Sequence, residues 1–245
     1  MSQTNAPDPA AAPQPKSLPA RFFGVLFAPR ATYAAVAAHP RWLVMFLTVS
    51  LISGGAAAAL LSTETGREAM LDQQVAQAQA YGRQLTQVQI DQMEKFAPYS
   101  AYVAPVFQFA AFAVGALLIA GIAFAVFNAI LGGDATFKQV FSIVTHSGVV
   151  LAVLALFNMP LAYARGSLSS ATNLAVFLPF LDETSFIARL LGSIDLVFVW
   201  WILSLAIGLG VLYRKRTGPI ATSLLAVYGA IGLIIAAIKT ASTGA

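Results

Sequence analysis

Along the chain, hydrophobic positions gather into five long stretches separated by short polar links. The longest charge-free run is Phe96 to Gly133, thirty-eight positions without Asp, Glu, Lys or Arg. Asp134 and Lys138 interrupt it, and Gln139 to Ala164 then adds twenty-six more such positions. A bilayer hydrocarbon core about 30 Å thick is crossed by roughly 20 apolar residues in a helix. Two runs of this length joined by a short polar link predict a transmembrane helical hairpin. The five stretches are Trp42 to Leu61, about Pro105 to Leu131, about Val140 to Tyr163, about Leu190 to Tyr213, and Pro219 to Ile238. Runs apolar on every face do not suit surface helices of a water-soluble domain. The predicted fold is all-α: a polytopic membrane protein with five transmembrane helices.

One sizeable hydrophilic region interrupts the pattern, an outer loop over 62–101. The region is rich in Gln, Ala and charged residues, and it predicts a helix from about Glu64 to Arg83 and a break near Gly82 to Thr86. A second helix then runs to about Phe96. Thr86-Gln87-Val88-Gln89 has the form of a capping box, in which Thr86 accepts from the Gln89 amide and the Gln89 side chain reaches back. Ahead of the first span, residues 20–41 carry Phe22, Phe23, Leu26 and Phe27 between Arg21 and Arg30, which suits an element at the cytoplasmic interface. The rest divides into a tail over 1–19, a membrane domain over 42–239 and a C-terminal tail over 240–245.

Composition agrees with this division. The chain has 245 residues, of which 58% are hydrophobic and 10% charged, against about 25% charged in soluble domains. It has no cysteine, which removes disulfides, thiolate nucleophiles and Cys-ligated metals. A net charge of +4 is explained by basic residues flanking spans, so no nucleic-acid partner is expected. The basic residues favour a cytoplasmic N-terminus and an extracytoplasmic C-terminus, with Arg214-Lys215-Arg216 as the clearest marker. Met1 to Pro15 lacks the basic and apolar regions of a signal peptide. The expected location is a cell inner membrane, and the first expected partner is the lipid bilayer.

Polar residues inside spans are costly and often functional. The candidates are Asn128, His146, Asn158 and Asp195. Counted along upright helices, Asn128 and His146 should face each other near the cytoplasmic side, and Asn158 and Asp195 could pair near the outer side. His146 and Asp195 fall about 15 Å apart along the membrane normal, too far for a direct acid–base couple. Neither His39 nor His146 has ligands at metal-binding spacing. Gly132-Gly133 lacks the Gly-Lys-Ser or Gly-Lys-Thr of a phosphate-binding loop. No Ser lies in a Gly-x-Ser-x-Gly elbow. No cofactor is expected.

The link Gly132-Gly133-Asp134-Ala135-Thr136-Phe137-Lys138-Gln139 resembles the Yip1 domain family. Phe27-Ala28-Pro29-Arg30-Ala31-Thr32-Tyr33 resembles the proline-led segment ahead of that family's first span. Leu85-Thr86 through Glu94-Lys95-Phe96 resembles the outer-loop helix of its bacterial members. The resemblance implies a helical membrane protein without known enzymatic chemistry. Some eukaryotic members act in vesicle trafficking with Rab GTPases. This chain lacks Asp-Leu-Tyr-Gly-Pro before its first span, so a Rab GTPase is not an expected partner. The leading expectation is a non-enzymatic scaffold or adaptor for a membrane or cytoplasmic protein. It would act through a cytoplasmic face that includes Gly132, Gly133, Asp134, Phe137 and Lys138. The alternative is a small-solute permease or channel with a polar vestibule near Asn128 and His146.

Overall fold

The computed structural model describes residues 16–182 and 184–243. Most of the expected N-terminal tail and the last two residues of the C-terminal one lie outside the described residues. Eleven α-helices are described. Helices α1 (Leu18–Phe27) and α2 (Pro29–Ala38) form a short hairpin ahead of α3 (Trp42–Leu61). The outer loop holds α4 (Glu64–Ala80) and α5 (Gln87–Phe96). Then come α6 (Ser100–Phe124), α7 (Phe137–Ser147), α8 (Val149–Arg165), α9 (Phe186–Gly192), α10 (Leu196–Leu212) and α11 (Thr217–Thr243).

Four helical segments are long and apolar enough to cross a membrane: Trp42–Leu61, Gln87–Ile130, Phe137–Arg165 and Thr217–Thr243. The fourth expected stretch gives a shorter helix, α10, of 17 residues, about 26 Å long at the usual rise. Its shortening has a local cause. The Asp195 carboxylate accepts from the Val197 and Phe198 amides, so the helix starts there, as N-capping requires. Residues before it fold separately as α9.

The outer loop follows the same logic of caps. Thr63 caps α4 through the Gly66 amide, and the Thr86–Gln89 capping box starts α5. Gly82 takes φ +70° in the turn between them, a left-handed conformation open to glycine at little cost.

At the centre stands α7. Every residue from Val140 to Val150 is buried, among α1, α2, α3, α6 and α10. Such enclosure needs close backbone approach, which small residues supply in membrane bundles. Gly208 of α10 is one such point: a Cβ there would lie 2.5 Å from Ile143 Cγ2 and 3.1 Å from the Tyr33 ring.

The α1–α2 hairpin also packs into this centre, and Arg21, Val25, Thr32, Tyr33, Ala35 and Val36 are buried. The Tyr33 hydroxyl meets Ser204 Oγ at 2.7 Å. Phe23 and Phe27 remain exposed on the other face. The α1–α2 hairpin is therefore one-sided, with one face locked to α7 and α10 and the other bearing aromatics outward.

Aromatic contacts fix the axial register. Phe124 packs on Phe137, and Phe112 lies against Gly148, so α6 runs antiparallel to α7 and α8. Phe46 stacks on Phe112, which sets α3 beside that pair. Trp42 packs on Phe141 with ring centroids 5.1 Å apart, so the first turn of α7 extends beyond the start of α3. This end, which carries Gly132–Thr136, is termed the link end.

Candidate functional site

The link is shaped by a few specific contacts. A π-helical turn, Ala125–Ile130, ends α6. Gly132 then takes φ +68°, which a residue with a Cβ adopts only with strain. The Gly133 amide donates to Phe127 O at 2.8 Å, and a Cβ at Gly133 would lie 2.8 Å from the Tyr213 ring. Asn128 latches the turn. Its Nδ2 donates to Ala135 O at 2.6 Å, and its Oδ1 accepts from the Tyr213 hydroxyl at 2.7 Å. Phe127 stacks on Tyr213 with ring centroids 4.5 Å apart.

A second capping box, Thr136–Gln139, starts α7. Gln139 Nε2 also donates to Ala37 O at 3.0 Å, which ties the link to α2. With the backbone held this way, Gly132, Asp134, Phe137 and Lys138 are exposed. The α10–α11 turn lies alongside through Tyr213. There Arg30, Lys215, Arg216 and Thr217 surround an open cavity of about 480 Å³. The link end is thus one continuous polar and basic surface built by α2, the 132–138 segment and the 213–217 turn.

His146 lies elsewhere. It is fully buried, with Nδ1 2.7 Å from Ser142 O and Nε2 3.3 Å from Arg21 Nη1. An arginine can only donate, so Nε2 accepts and Nδ1–H donates to Ser142 O; the ring is the neutral tautomer. Arg21 Nη1 also donates to Arg41 O at 3.1 Å. Burial, and then the Arg41 charge, push the Arg21 pKa down.

Asn128 and His146 do not face each other as expected. Phe137 packs on Phe124, so Asn128 falls at or beyond the start of α7. His146 is nine residues, about 14 Å, further in. The expected pairing treated the two helix ends as level, and the π turn carries Asn128 past that point.

Asn158 and Asp195 do not pair either. Asp195 accepts from Ser170 Oγ and, at 2.7 Å, from Thr172 Oγ1, while capping α10. Burial works against its charge, but these two hydroxyls and the Val197 and Phe198 amides outweigh it and hold the pKa below the ordinary value. Asn158 Oδ1 is buried with no hydrogen-bond partner among the described residues. It lines a cavity of about 340 Å³ between α3, α6, α8 and α10, with Ser53, Gln108 and Arg165 among the lining residues. Among the described residues, no group of three His, Cys, Asp or Glu is placed to hold a metal ion.

Sequence reasoning missed Arg21, Tyr33, Ser204 and Tyr213 as partners, since their contacts span 85 to 171 positions. It also missed the Thr136–Gln139 box, although the same Thr-x-x-Gln pattern was legible at Thr86–Gln89.

This architecture defines a multi-pass helical membrane protein whose capped polar link joins its second and third spans. The model of the Yip1 domain matches residues 23–238, and the chain belongs to the Yip1 domain family. No curated protein and no solved structure matches the chain.

Proposed function

We propose that this Yip1-family membrane protein is a non-enzymatic scaffold or adaptor that binds a partner protein at its link end. The observation that carries this reading is the way buried contacts are used to hold an exposed surface. Asn128, Tyr213 and Gln139 spend their hydrogen bonds on fixing the backbone of 132–139 and its junction with α2. Asp134, Phe137 and Lys138 are exposed on this frame, with the Phe137 ring also packed on Phe124 and Phe141. A preformed surface with an acid, an aromatic and several cations suits protein recognition, because little side-chain and loop order is lost on binding. In the buried centre Arg21 and His146, and Tyr33 and Ser204, are hydrogen-bonded to one another. Asn128 and His146 give a solute pathway no support, since both are hydrogen-bonded within the fold and neither lines the bundle cavity.

Affinity capture from native membranes tests the reading with wild type and with the pair Asp134→Arg and Arg216→Glu, which leaves Lys138 untouched. A defined partner should co-purify with wild type and be lost from the variant. The same proteins captured by both, or none captured by either, overturns it.

A further inference from the structure

An apolar groove of about 450 Å³ runs between α3, α6 and α7 at the link end. Phe46 of α3, Phe109 and Leu117 of α6, and Phe137 and Phe141 of α7 form its walls. Ala113 leaves the depression, because it sits on the same face of α6 as Phe109 and Leu117 with four-residue spacing. The walls are fixed by aromatic packing. Phe46 meets Phe109 edge-on with centroids 5.2 Å apart, and Phe137 stacks on Phe141 at 6.0 Å. Lys138 is the one charged residue of the lining.

Lys138 occupies an unusual place. It lies in the first turn of α7, where the helix dipole disfavours a cation and favours an anion. That turn holds no acidic residue. Among the described residues Lys138 makes no side-chain hydrogen bond or ion pair. The axial register adds the depth. Trp42 packs edge-on against Phe141 with ring centroids 5.1 Å apart, so Lys138 stands about one helical turn, roughly 4–5 Å, beyond it, toward the water. Headgroup layers add about 5–7 Å on each side of the hydrocarbon core. The groove thus offers aromatic walls at hydrocarbon depth and an unpaired cation at headgroup depth.

We propose that the groove holds an anionic phospholipid, with an acyl chain against the Phe46, Phe109 and Leu117 walls and the phosphate-bearing headgroup at Lys138. The lipid's negative charge answers both Lys138 and the α7 N-terminus, and its chain fills the space that Ala113 leaves. The inference does not depend on the scaffold reading, because the assay below contains no partner protein.

Trp42 lines the groove and serves as the reporter. The full chain is placed in phosphatidylcholine vesicles containing a minor fraction of phosphatidylglycerol, with bromine on the chains of one lipid or the other at equal mole fraction. The Trp42→Phe variant gives the signal from Trp200 and Trp201, which is subtracted. Brominated phosphatidylglycerol should be enriched about fivefold over brominated phosphatidylcholine at Trp42, the preference equivalent to roughly 1 kcal/mol for one basic residue near anionic lipid. Lys138→Gln should bring the two lipids to parity, and Lys138→Arg should keep the preference. Equal quenching by both lipids in wild type overturns the proposal, as does a preference that survives Lys138→Gln.

Discussion

Arg21 is a buried cation whose seen partners are the His146 ring and the Arg41 carbonyl, and its Nε has none. Removing an acceptor from a buried charge is costly, because the charge is left less compensated. This makes the two members of the pair unequal. His146→Leu removes an acceptor and leaves the guanidinium in place, which should cost about 2–3 kcal/mol. Arg21→Met removes the charge but leaves the buried neutral His146 Nε2 without its donor, and should cost about 1 kcal/mol, less than His146→Leu. Thermal unfolding followed by helical circular dichroism in detergent measures both, and equal losses would show that the uncompensated charge is not the cause. His146 was legible in the sequence as a polar residue in an apolar run. Arg21 was not, because 125 positions separate the two and a cation ahead of a span reads as a topology marker.

At the scale of elements, caps decide where helices begin. Apolar length predicted the spans at Trp42–Leu61, within Gln87–Ile130 and within Phe137–Arg165. Over the fourth stretch, hydropathy averages past one acid and predicts Asp195 about a turn inside the span. Its carboxylate is instead the first point of α10, held by Ser170 and Thr172 from a loop more than twenty positions away. No local pattern announces those two hydroxyls. The cap carries a pH dependence. The folded pKa of Asp195 lies below the ordinary carboxylate value of 3.8. Its contribution is therefore fully present above that value and is lost as pH falls through the folded pKa. Asp195→Ala should cost about 1–2 kcal/mol at neutral pH. The difference between wild type and variant should shrink in acid below the ordinary carboxylate value. Unfolding midpoints measured across that range check the sign, and a gap that widens in acid would refute it.

At the scale of the whole molecule, the two ends differ in charge. The link end carries Lys16, Arg21, Arg30, Arg41, Lys138, Arg214, Lys215 and Arg216. The loop end carries Arg67, Arg83, Lys95, Arg165, Arg189 and Lys239, several of them within the 62–101 loop. Tertiary contacts add to the definition of these ends. Lys239 lies over the Tyr81 ring at 5.5 Å, and Arg189 donates to Thr243 at 2.8 Å, which ties the far end of α11 to the outer loop and to α9. The docking of α1 and α2 against α7 brings Arg30 to the α10–α11 turn, so the link end is more densely basic in space than in sequence. Positive-inside retention acts on basic residues close to span ends, and this clustering favours a cytoplasmic link end with an extracytoplasmic C-terminus. The absence of native cysteine permits a direct test without background. Asp134→Cys places a thiol on the link and Asp91→Cys places one on the outer loop, both at exposed positions. In intact cells a membrane-impermeant maleimide should label Asp91→Cys at once and Asp134→Cys only after permeabilisation. The reverse pattern would invert the orientation and place the Lys138 groove in the opposite leaflet.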